Sequence, residues 1–138
     1  MRNIHENYVP YSESLELKNF GVNNEQVTCH GNFINEKLAL GFFHSTHCTL
    51  DTILGLTYGQ AFDFFREKFS IEGWVQPYLS PEPRKCEAKF WYGGRTPTEG
   101  TSVGIYDTFM EAELECVRAI IQFIKEHEEF NTYRLWVK

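Results

Sequence analysis

FMEAELECVRAIIQFIKEH, residues 109–127, decides the fold of this chain. On a helix turning about 100° per residue, Phe109, Ala112, Cys116, Val117, Ala119, Ile120, Ile121, Phe123 and Ile124 occupy most of the circumference, while Glu111, Glu115, Arg118, Gln122, Lys125 and Glu126 gather into one narrow stripe. A helix with a single water-facing edge must be covered on its other sides, so this segment organises the core. Thr108 followed by Glu111 is a capping-box arrangement, in which the hydroxyl accepts an orphan N–H of the first turn and the carboxylate reaches back. One acid interrupts the pattern. Glu113 falls in the middle of the apolar arc, where burial favours the neutral carboxyl unless a partner is supplied, which is how a general acid is built. The blander reading carries more weight, because the positive end of the helix dipole favours an anion in that turn.

Upstream, the period changes from helical to alternating. Thr101–Tyr106 and Lys85–Tyr92 are expected to form a hairpin whose long tip, residues 93–100, holds Gly93, Gly94 and Pro97. In the longer strand Cys86, Ala88, Phe90 and Tyr92 share one face and Lys85, Glu87, Lys89 and Trp91 the other. Ile71–Tyr78 reads as a strand interrupted at Gly73 and ended by Pro77. Before it, Thr57 and Gln60 make a second capping box for a helix over Tyr58–Phe69, with Tyr58, Ala61, Phe62, Phe65 and Phe69 in one stripe and Phe64 stranded among polar neighbours.

Nearer the start, residues 26–33 and 37–44 flank Ile34-Asn35-Glu36 as an antiparallel hairpin, and residues 45–56 read as loop. Ser12 is expected to cap a short helix over residues 13–20 that Gly21 ends as its left-handed C′ residue. Residues 131–138 suit a last edge strand or a docking arm. Strands with helices before, between and after them predict one α+β domain over residues 1–138. Its expected form is an antiparallel sheet of four to five strands, the two longer helices packed on one face, and a short N-terminal helix.

A chain of 138 residues buries a core large enough to stand without disulfides or metal. Its twelve Phe, seven Tyr and three Trp supply that core, since each ring removes on the order of 150–250 Å² from water. The net charge of −6 argues against a broadly basic nucleic-acid surface and favours solubility. The first eleven residues contain Arg2, His5, Glu6 and Pro10 without an apolar stretch, and no run approaches the roughly 20 apolar residues of a spanning helix. A cytoplasmic protein with no membrane contact is therefore expected, its Cys29, Cys48, Cys86 and Cys116 reduced.

Candidate chemistry is sparse. His44, His47 and Cys48, with Cys29 and His30 nearby, offer imidazole and thiol donors, yet the spacing matches no structural zinc pattern and a hydrogen-bonded turn is the better reading. No metal or other cofactor is expected. Arg84, Lys85, Lys89 and Arg95 interleave with Phe90, Trp91 and Tyr92, a composition that can attract phosphates and stack an unpaired base; an edge strand kept soluble by lysine explains it more simply. Phe64, Trp91 and Trp136 are the aromatic residues expected at the surface, where convergence into one patch would mark a protein contact. The nucleophile-elbow, P-loop and dinucleotide-binding motifs are absent, so no catalytic residue is assigned.

The segment Gln60-Ala61-Phe62-Asp63-Phe64-Phe65-Arg66-Glu67-Lys68-Phe69, the later strand pair and the segment Thr108-Phe109-Met110-Glu111-Ala112-Glu113-Leu114-Glu115-Cys116 together resemble a family of small uncharacterised proteins of Bacteroides-type bacteria and their phages. The resemblance spans about half the chain and implies a phage or mobile-element context, with no catalytic residues. The function expected is that of a soluble, non-enzymatic accessory or protein-interaction domain. A nucleic-acid-binding module using residues 84–95 is the alternative, and a small metal-dependent or hydrolytic enzyme ranks third.

Overall fold

The structure is a computed structural model that describes residues 4–22, 31–40, 53–78, 84–92 and 100–127. It is α+β, and its contacts fall into two compact units, Met1–Phe64 and Phe65–Lys138.

In the first unit, a 3₁₀ turn at Ile4–Asn7 leads to Tyr8, which bridges Thr57 in antiparallel fashion, and the Val9 N–H donates to the Leu56 carbonyl at 2.8 Å. Helix α1 (Tyr11–Asn19) then starts two residues earlier than the sequence suggests. Pro10 is its N-cap and supplies no side-chain cap; Ser12, the expected cap, lies inside the first turn with its Oγ donating to Glu13 Oε2 at 2.8 Å. Proline fixes φ near the helical value, which lets the chain enter the helix directly behind it. The far end agrees with expectation. Gly21 at φ 103° donates to the Lys18 carbonyl and Val22 to the Leu17 carbonyl, the paired bonds of a Schellman cap, and the side chains of Leu17 and Val22 are both buried.

Strands β1 (Gly31–Ile34) and β2 (Lys37–Leu40) form the anticipated antiparallel hairpin; the expected extensions to residues 26–30 and 41–44 lie outside the described residues. Ile34 pairs with Lys37, so the turn is Asn35-Glu36 alone, at φ 51° and 65°. Two left-handed residues make the turn whose twist matches the strands it joins. Asparagine tolerates that conformation, whereas a glutamate there is strained. Glu36→Gly should therefore raise stability by about 1 kcal/mol, read as a higher urea midpoint at unchanged slope, while Asn35→Gly should change it much less.

Residues 53–55, expected as loop, run along the other side of β1. Phe33 N–H donates to the Ile53 carbonyl at 2.9 Å, Gly55 N–H to the Gly31 carbonyl at 2.8 Å, and Asn32 bridges Leu54. Gly55 permits this approach, since a Cβ there would fall 2.5 Å from Leu38 Cδ1. The ring of Tyr11 meets Phe33 edge-on at 5.4 Å. Val9, Leu17, Leu54, Leu56, Tyr58 and Ala61 are buried.

Helix α2 (Tyr58–Phe69) has the predicted bounds, and the division between units falls within it. Its capping box is complete: Gln60 N–H donates to Thr57 Oγ1 at 3.2 Å, and Thr57 N–H to Gln60 Oε1 at 3.0 Å. Phe64 corrects the sequence reading. It is 4% exposed, and Phe62 is the more accessible ring, because the helix is covered over a wider arc than one stripe.

In the second unit, Ser70 at φ 57° turns the chain from α2 into β3 (Ile71–Tyr78), which continues through β4 (Lys85–Tyr92) and β5 (Thr101–Tyr106) as an antiparallel meander in the order β3-β4-β5. Gly73 does not interrupt β3; it is buried opposite Phe90. Pro77 is accommodated because β3 is an edge strand, where a missing N–H need not break a ladder. The register between β4 and β5 slips at Ala88/Lys89, so that Val103 is an extra residue on β5.

Helix α3 (Phe109–Glu126) packs on all three strands. Thr108 Oγ1 accepts from Glu111 N–H at 3.1 Å, and Ala112, Cys116, Val117, Ile120, Ile121 and Ile124 are buried, as the apolar arc requires. Phe109 departs from that arc: at the first helical position it is 49% exposed. The single sheet of four to five strands is not observed. Among the described residues five strands form separate sheets of two and three, and β1 finds its second neighbour locally, in residues 53–55.

Candidate functional site

The two faces of the three-stranded sheet differ in character. Strand alternation sends Cys86, Ala88, Phe90 and Tyr92 toward α3, where Phe123 meets the ring of Phe90 at 5.3 Å and that of Tyr92 at 5.7 Å, and stacks on His127 at 4.1 Å. The opposite face carries Lys85, Glu87, Lys89 and Trp91 from β4, as expected. The pairing with β3 adds Glu72, Trp74, Gln76 and Tyr78 to it, and that with β5 adds Ser102 and Ile105.

A connected polar network crosses this face. Lys89 Nζ stands over the Trp74 ring, 5.9 Å from its centroid. Trp74 Nε1–H donates to Gln76 Oε1 at 2.9 Å, and Gln76 Nε2 donates across to Glu87 Oε1 at 3.2 Å. Ser102 Oγ donates to Glu87 Oε2 at 2.7 Å, so both glutamate oxygens are engaged and three strands are tied together. At the margins Arg66 Nε pairs with Glu72 Oε1 at 2.8 Å, and Lys85 pairs with Asp107. Trp74 and Trp91 are half-buried, while Tyr78 and Ile105 are 40% and 42% exposed.

The residues named for phosphate attraction are thus dispersed in their roles. Arg84 is exposed just before β4; Lys85 and Lys89 lie on one face, each beside a local partner; and Arg95 lies outside the described residues. Two lysines and two glutamates of β3 and β4 share that face, so it holds no surplus of positive charge. Of the three aromatic residues expected at the surface, Trp91 is on this face, Phe64 is buried and Trp136 lies outside the described residues. Trp74 escaped sequence reading. Its alternation with Glu72 and Gln76 was visible, but placing it opposite Lys89 needs the β3–β4 register, which the Ser80-Pro81-Glu82-Pro83 turn read from the sequence does not fix.

On the α3 side, the acid singled out in the sequence lies close enough to the buried thiol of Cys116 for its charge to act on it. Glu113 is half-buried with its Oε1 shielded from solvent, and Cys116, one turn on, is fully buried with its Sγ donating to the Lys89 carbonyl at 3.3 Å. That carbonyl lies at the register slip between β4 and β5. Burial pushes the Cys116 thiol up to about 12, hydrogen bonds with the Trp74 and Lys89 backbone oppose the rise, and the charge of Glu113 adds to it. Burial, followed by the charges of Glu115 and Cys116, also raises Tyr106. Both shifts favour the protonated, non-nucleophilic forms at neutral pH. The thiol is a structural donor.

Residues 29–30 and 44–48, with their histidines and cysteines, lie outside the described residues. Among the described residues no three His, Cys, Asp or Glu side chains converge as metal donors, and no helix is long and apolar enough to cross a membrane. Comparison with known proteins finds no matching family model, curated protein or solved structure.

Proposed function

We propose that the chain is a non-enzymatic accessory protein-interaction module that docks a protein partner on the β3–β4–β5 face opposite α3. The observation that carries this reading is the combination on that face of half-buried Trp74 and Trp91 with exposed Tyr78 and Ile105, among charges that are already engaged with one another. Aromatic rings fixed before binding lose little conformational freedom when a partner covers them, which is why such rings dominate protein interfaces. A phosphate-binding surface would instead need cations whose charge is free to replace counterions. A phage or mobile-element setting belongs to this proposal and rests on the sequence resemblance alone.

Affinity capture from source cells tests it, with wild type compared with Trp91→Ala and Tyr78→Ala after circular dichroism has shown both variants folded. A protein retained by wild type and reduced at least tenfold by each variant supports the reading. Equal recovery by all three, or recovery that nuclease treatment abolishes, overturns it.

A further inference from the structure

The sheet of the second unit has two edges, and they are built differently. β3 carries Glu72 and Pro77, a charge and a missing N–H of the kind that discourage another strand from adding. β5 reads Thr101-Ser102-Val103-Gly104-Ile105-Tyr106, with neither charge nor proline. On one side it bonds to β4; among the described residues no backbone hydrogen bond reaches its other side. The bulge at Val103 disturbs the first half of the strand and leaves residues 104–106 regular. Within that half Ile105 is 42% exposed, and Tyr106 lies along Gly104, where a Cβ would come 2.7 Å from the Tyr106 hydroxyl.

We propose that β5 is the contact of a two-fold homodimer, paired antiparallel about Ile105 so that this residue lies directly opposite the partner's Ile105. A second copy is the occupant because an antiparallel edge paired about one residue is complementary to itself, each strand offering the other the same N–H and C=O groups. The neutrality of the strand means that no like charges face each other across the axis. The register sets an exposed isoleucine against its copy. It also keeps the bulge outside the paired segment. The contact uses the backbone edge of β5, and although Ile105 also borders the sheet face proposed for docking, Trp91→Ala and Tyr78→Ala test that face without touching this edge.

A contact of a few residue pairs lies at the small, weak end of specific interfaces. Sedimentation equilibrium should accordingly show the mass rising from 16.2 kDa toward twice that value between about 5 and 500 μM protein. Added salt should strengthen association, because it screens the repulsion between two copies of net charge −6. Ile105→Lys should sediment as a monomer with an unchanged circular dichroism spectrum. Ile105→Cys should cross-link to itself under mild oxidation above the background of the native cysteines, since directly opposed strand residues have the Cα spacing a disulfide needs. Ser102→Cys should not, because this register places it roughly 20 Å from its copy. The proposal is overturned by a wild-type protein that stays monomeric across the range, by a dimer that survives Ile105→Lys, or by cross-linking of Ser102→Cys equal to that of Ile105→Cys.

Discussion

Ile120→Ala should destabilise the second unit by about 3–4 kcal/mol, lowering its melting temperature by roughly 12–30 °C, whereas Arg118→Ala, two residues away, should stay within about 0.5 kcal/mol of wild type. Ile120 is fully buried on α3 and Arg118 is exposed on the same helix, paired with Glu115 at 2.7 Å. The expected cost of the first change has two parts. The removed methyl groups lose their transfer free energy, and the space they leave is refilled only in part, because a helix packed on three strands cannot settle onto one position without lifting from others. The surface pair that the second change removes is solvent-screened and worth little. Thermal unfolding of the two variants, followed by circular dichroism, makes the comparison. Equal losses, or a small loss at Ile120, would mean that α3 is not the element on which this unit's stability rests.

How far such an outcome is legible from sequence depends on the range of the interactions. The α3 arc, both threonine caps, the Gly21 cap and the bounds of α2, β3, β4 and β5 follow from patterns within a few residues, and the structure has them in place. Ser12 fails as a cap although it is a favoured type, because Pro10 behind it already sets the chain into the helix. Phe64 and Phe109 fail in opposite senses for a shared reason: helical periodicity gives an angle but not the width of the surface that covers it. The division into two sheets was hidden because residues 53–55 pair through their backbone, and Ile53-Leu54-Gly55 carries no alternation that would distinguish a paired segment from loop. On the candidate face, one strand's membership was readable from alternation. Trp74 beneath Lys89 and the Gln76–Glu87–Ser102 connection depend on register across strands, which only the folded chain defines.

Raising the pH should uncover the second large effect, which belongs to Cys116. Burial holds its folded-state thiol near 12, against an ordinary value of 9.0 that applies once the chain unfolds. Between those values the unfolded chain releases a proton that the folded chain keeps. The associated stability is therefore fully present below pH 9 and is lost as pH rises toward 12, by about 1.4 kcal/mol per unit. By pH 10.5 the wild-type protein should have lost about 2 kcal/mol from this group alone. Cys116→Ala lacks the titration. It should be less stable than wild type by about 1 kcal/mol at pH 8, where the Sγ bond to the Lys89 carbonyl and the filled site are missing, and at least as stable at pH 10.5. Urea midpoints at the two pH values measure the crossover. Parallel losses in wild type and variant would show that the thiol is not held in its neutral form. The same burial predicts that iodoacetamide at pH 7 leaves Cys116 unmodified in the folded protein and alkylates it in urea, as befits a thiol used for packing and hydrogen bonding and not for chemistry.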